Sequence, residues 1–120
     1  MDRIAGQGGQ EQARVDSPER ILLMALQTDS RRITLTADEG GMSVFLEGGP
    51  ETIYLEHLPR LEAQLVRDWF RFAASIDIHM PAPIAGAGVL ELGVHRLCLE
   101  ASFFPGPGDE DIVVDFLPLL

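Results

Sequence analysis

The order of apolar periodicities limits the fold of this chain more than any other feature. Three period-two stretches come first, then one long helical stretch, then three more period-two stretches. Ile33 and Leu35 alternate with Thr34 and Thr36. Met42, Val44 and Leu46 alternate with Ser43, Phe45 and Glu47. Ile53 and Leu55 alternate with Thr52, Tyr54 and Glu56. Asp38-Glu39-Gly40-Gly41 and Gly48-Gly49-Pro50 separate them as turns. Side chains of a strand point to opposite faces in turn, so this pattern predicts an antiparallel meander with one buried face.

Pro59 opens the longest helix, predicted to run to about Ser75. Proline suits a helix start, where its missing N–H has no partner to lose. Leu61, Leu65, Trp69 and Phe72 recur at spacings of four, four and three, which predicts a stripe packed on a sheet with Trp69 in the core. Val66, Phe70 and Ala73 widen it, and Glu62, Arg67, Asp68 and Arg71 fall mainly on the other side. After the helix, His79 to Gly88 reads as a Pro/Ala/Gly loop. Val89 to Leu92 and Val94 to Phe103 read as a hairpin around Gly93, and Ile112, Val114 and Phe116 as a last strand.

An earlier, shorter helix starts at Ser17-Pro18-Glu19, a cap-like serine followed by proline and an acid at the positive helix end. It buries Leu22, Ala25 and Leu26, with Ile21 beside them, and ends near Gln27 to Ser30. Residues 1–16 are polar and glycine-rich without periodicity, and read as a flexible tail. Residues 17–120 then make one α+β domain: an antiparallel sheet of about six short strands with helices packed on it. At 120 residues there is room for one core.

Nineteen acidic residues face nine basic ones, giving a net charge of −10, and every base is arginine. Such a surface repels nucleic acid and anionic membranes and points to a protein partner. Without lysine the loop Gly-x-x-x-x-Gly-Lys-Ser/Thr cannot be written, so this chain alone is not expected to hydrolyse ATP. Cys98 is alone and can form no internal disulfide. The sequence lacks an apolar run long enough to span a bilayer and a signal-peptide pattern at Met1 to Gln7, so a cytoplasmic protein without membrane insertion is expected.

Chemistry-bearing residues do not converge in the sequence. His57, His79 and His95 lack metal-ligand spacing. Asp38-Glu39 and Asp109-Glu110-Asp111 lack the alternating oxygen ligands of a calcium loop and read as solvated turns. The glycines Gly6 to Gly9 do not follow a strand. Catalytic residues, cofactor and metal ligands are each expected to be none, and the chain is not expected to be an enzyme.

From Pro18 to Leu117 the pattern resembles the small N-terminal domain that precedes the motor domain in type II secretion and type IV pilus assembly ATPases. Ile76-Asp77-Ile78 matches the helix exit of that family. Leu99-Glu100-Ala101-Ser102 through Pro105 resembles its strand of arginine, apolar residue and serine before proline, and Glu47-Gly48 resembles its acid-glycine turn. The resemblance implies a PAS-like curved antiparallel sheet and a role as a protein-interaction or regulatory module. Its partner would be a secretion or pilus machine component, met as monomer or homodimer. In the family, arginines here help hold nucleotide against the motor. This sequence has Ser43, Phe45 and Glu100 at those places, and a carboxylate repels phosphate. Two other readings stay open. A small acidic secretion chaperone or adaptor would dimerise through an apolar helix face. A PAS-like small-molecule sensor would need a pocket with convergent polar groups.

Overall fold

Every period-two stretch becomes a strand of one sheet. The computed structural model describes residues 17–119; the expected tail, with Gly6 to Gly9, lies outside the described residues. The order is α1 (Ser17–Gln27), β1 (Arg32–Asp38), β2 (Gly41–Glu47), β3 (Ile53–Pro59), α2 (Arg60–Ala73), β4 (Ile84–Leu92), β5 (His95–Pro105) and β6 (Glu110–Pro118). The spatial order is β3-β2-β1-β6-β5-β4, with every neighbouring pair antiparallel. Two three-stranded meanders are thus joined through β1 and β6, and both helices pack on the sheet: an α+β fold, as the periodicities predict.

Register explains why one face is dry. Ile33 pairs with Leu46 and Val114, Leu35 with Val44 and Ile112, and Ala101 with Val114. All of these are buried, together with Leu97, Leu99, Phe103 and Phe116. A slip of one residue would turn this whole set to solvent. The helices close the core with Ile21, Leu22 and Ala25 of α1 and Ala63, Val66 and Phe70 of α2. The Ser17 hydroxyl donates to the Glu62 carboxylate and links the two helices.

Four expectations change. The simple alternation of β3 is broken by a bulge: Val44 faces Glu56 while Phe45 faces Tyr54, leaving Leu55 as the extra residue. The bulge shifts the phase, so Glu56 receives a hydrogen bond from Arg20 of α1 at 2.6 Å and Leu58 becomes buried.

Of the stretch read as a Pro/Ala/Gly loop, His79 to Pro83 is loop, but Ile84 to Gly88 is instead the first half of β4, paired from Ile84↔Phe103 onward. Glycine there reflects a close approach. A Cβ on Gly88 would collide with the carbonyl oxygen of Ala73, and one on Gly86 with that of Ala74 and with Ile76. The end of α2 lies against the β4 backbone, which a side chain would push away.

The third change is the rotation of α2. Leu61 and Phe72, read as core, are 70% and 82% exposed, and Leu65 is 50% exposed. Trp69 sits half-buried at the core margin, edge-to-face with Phe70 at 5.2 Å. Successive residues advance by about 100°. Val66 and Phe70 therefore point nearly opposite to Leu61, Leu65 and Phe72. Both strips have helical spacing; the second one faces solvent.

Arg71, read as a surface residue, is 2% exposed. Its Nη2 donates to both oxygens of Glu110 at 2.9 Å, and its Nη1 donates to the carbonyls of Met80 at 2.7 Å and Asp77 at 3.2 Å. The guanidinium lies over the Phe103 ring, 4.6 Å from its centre. One side chain thus joins α2, the loop after it, β5 and β6. Lysine lacks the planar fork that reaches several acceptors at once.

Two outcomes follow for urea unfolding. Phe70→Ala costs about 3–5 kcal/mol, whereas Phe72→Ala changes stability by no more than about 0.5 kcal/mol. Arg71→Ala leaves the Glu110 carboxylate without its buried partner and costs about 3–5 kcal/mol. Equal effects of the two phenylalanine substitutions would mean that α2 is rotated differently.

Candidate functional site

The sheet face turned away from the helices carries the positions that the resemblance singles out. Strand pairing places Phe45 and Glu100 in two adjacent rows. Tyr54, Phe45, Thr34, Val113, Ser102 and Ala85 form one; Glu47, Arg32, Asp115, Glu100 and Ala87 form the other. Ser43 lies one row beyond Phe45, between Thr36 and His57. The structure therefore brings Ser43, Phe45 and Glu100 to one open face, with Glu100 separated from the other two by β1 and β6.

The first row is neutral and partly aromatic. Phe45 and Tyr54 meet edge-to-face at 5.4 Å between ring centres, and Tyr54 is exposed. Phe104, Val89 and Leu117 add exposed apolar surface to the same face. Cys98 is half-buried between Val89 and Leu117.

The second row is acidic. Its one guanidinium, on Arg32, donates through Nε to Asp115 at 2.7 Å, and this hydrogen bond raises the Arg32 pKa. Glu47 accepts from the Thr34 hydroxyl at 2.6 Å, and Glu100 stays exposed. Three carboxylates around one paired arginine repel a phosphate group. Aromatic rings beside such a row suit a protein surface, which can cover the rings and meet the acids with its own cations.

Acidic turns read as solvated are in part anchors for α2. Arg60, Arg67 and Arg71 recur at spacings of seven and four and form one strip along the helix. Arg60 donates to the Glu39 carbonyl, Arg67 to Asp109 and Arg71 to Glu110, while Asp111 accepts from the Ala37 N–H at 2.8 Å. Helical spacing of the arginines was the sequence signal for this; their acceptors could not be read because they lie 21, 42 and 39 residues away. Between the strip and the turns lies a polar cleft of about 520 Å³, lined by Asp38, Glu39, Arg60, Arg67 and Asp109 among others. Arg67 is paired there with the Asp109 carboxylate, and Arg60 donates to the Glu39 carbonyl.

Of the three histidines, His57 has a charged neighbour: its Nε2–H donates to the Asp38 carboxylate at 3.1 Å. His79 and His95 are exposed and lie elsewhere. Among the described residues there is no cluster of three or more His, Cys, Asp or Glu able to hold a metal ion. Among them, too, no helix is long and apolar enough to cross a membrane.

No protein-family model matches the sequence, and no curated protein matches it. The fold is similar to part of a solved structure, the ATPase DotB of Legionella pneumophila, with a TM-score of 0.53 and 16% identity. The match covers 83% of this chain and 28% of that one, so this chain corresponds to little more than a quarter of the ATPase's length. At this identity the likeness is one of fold.

The Asp38 carboxyl is held below the ordinary aspartate range, first by its hydrogen bond with His57 and further by the backbone N–H of Gly40. A lowered folded-state pKa gives stability that is complete above the unfolded value and is lost as pH falls through the folded one. In an NMR titration Asp38 should therefore ionise below the ordinary value of about 3.9, and His57→Ala should move it upward. An unchanged midpoint in that variant would remove His57 as the cause.

Proposed function

We propose that this chain is a noncatalytic protein-interaction or regulatory module, related in fold to the domain preceding the motor in secretion and pilus ATPases. It docks in the cytoplasm on a component of such a machine, through the open sheet face. In this reading residues 17–120 act as one domain and residues 1–16 as a tail. The observation that carries it is the pairing of an ATPase-fragment fold with the chemistry of that face. Glu100 and Phe45 stand where nucleotide-holding arginines would be expected, in rows of carboxylates and aromatic rings. Recruitment of a protein fits those rows, and recruitment of a nucleotide does not.

A second reading, the small acidic chaperone or adaptor, draws on the exposed Leu61, Leu65 and Phe72, because such a protein would dimerise through an apolar helix face.

Calorimetric titration with magnesium-ATP should give no binding; a micromolar Kd would overturn the noncatalytic reading. A photo-crosslinker placed at Tyr54 should join the chain, in its host, to a secretion or pilus machine component. Crosslinks confined to one exported substrate would instead select the chaperone reading.

A further inference from the structure

Helix α2 carries three strips, and two are accounted for. Ala63, Val66 and Phe70 meet the sheet. Arg60, Arg67 and Arg71 hold Glu39, Asp109 and Glu110. The third, Leu61, Leu65 and Phe72, spans three turns, about 16 Å at 1.5 Å per residue, and faces solvent. Trp69 sits half-buried beside it. Three large apolar residues aligned opposite the core face give the fold nothing that smaller polar residues would not. Spacing of i, i+4 and i+11 is how one helix reads another.

The borders of this strip decide its occupant. Glu62, which also accepts from Ser17, flanks it on one side and Asp68, 4.0 Å from the Arg67 guanidinium, on the other, while all three arginines of the helix are engaged on the strip beyond Asp68. Asp68 and Gln64 also line a groove of about 390 Å³ together with the engaged Arg67 and Arg71 and with Ile78 and Met80. A second copy of this chain would bring acids against acids and add another net charge of −10. An anionic lipid surface meets the same repulsion.

We propose that the Leu61–Leu65–Phe72 face docks an amphipathic partner helix whose apolar stripe is flanked by lysine or arginine. The inference rests on the reading of the chain as an interaction module, and adds to it a second surface with a stated partner chemistry.

Two synthetic helical peptides with the same leucine stripe test this, one flanked by lysines and one by glutamates. Each is titrated into the full chain while the emission of Trp69, the single tryptophan, is followed. The lysine-flanked peptide should bind at least about tenfold tighter than its counterpart and shift Trp69 emission to the blue. The double variant Leu65→Gln, Phe72→Ser should lose at least about tenfold in affinity with unchanged urea unfolding. Equal binding by parent and variant would reduce the effect to charge alone, and no binding of the lysine peptide would remove the site; either overturns the proposal. So would a sedimentation dimer abolished by Phe72→Ser, which would assign the face to a second copy. Tyr54 crosslinking reports on the opposite side of the molecule. If it fails while the peptide binds, the machine-docking reading falls and the helix site stands; the reverse outcome removes the helix site alone.

Discussion

A buried guanidinium holds this domain together at the place where its sequence is least regular. Arg71 is nearly inaccessible, yet all its visible partners are supplied by other parts of the chain: two oxygens of Glu110, two loop carbonyls and the face of Phe103. A buried charge is tolerable when it is paired and hydrogen-bonded in this way. The loop from Asp77 to Met80 is thereby pinned beneath α2, which directs the chain into β4. The neighbouring contact, the last turn of α2 on Gly86 and Gly88, depends on the same placement. Together they decide how the second meander meets the helix.

This arrangement explains the two exposed surfaces. With the arginine strip tied to the turns and the Ala63-Val66-Phe70 strip on the sheet, α2 has to present Leu61, Leu65 and Phe72 outward. On the far side of the sheet, antiparallel register lines up Glu47, Asp115 and Glu100 across strands distant in sequence. One surface is apolar with acidic borders, the other aromatic with an acidic row. Both suit protein partners bearing cations, and neither offers the free arginines that phosphate recognition requires.

The likeness to a fragment of the DotB ATPase is one of fold, and a fold does not by itself carry the chemistry of a surface. Alternation along the strands and the helix between two meanders are enough to rebuild the sheet. Outward-facing positions such as Ser43, Phe45 and Glu100 contribute little to the core and can vary without disturbing it.

The sequence by itself determined the order of elements and the buried side of most strands, because period two and period 3.6 are local properties of the backbone. It also determined the acidity of the surface and the absence of a P-loop lysine. Three matters were decided by tertiary structure alone. The β3 bulge, which turned Glu56 toward Arg20, depends on cross-strand pairing. The acids at Asp109 and Glu110 acquired partners because the fold brought α2 to them. Which apolar strip of α2 is buried was undetermined locally, since Leu61-Leu65-Phe72 and Ala63-Val66-Phe70 both repeat at helical spacing. Close approach settled it. The helix must end with its backbone against Gly86 and Gly88, so Ala73 and Ala74 have to lie over the strand, and that rotation carries Phe72 into solvent.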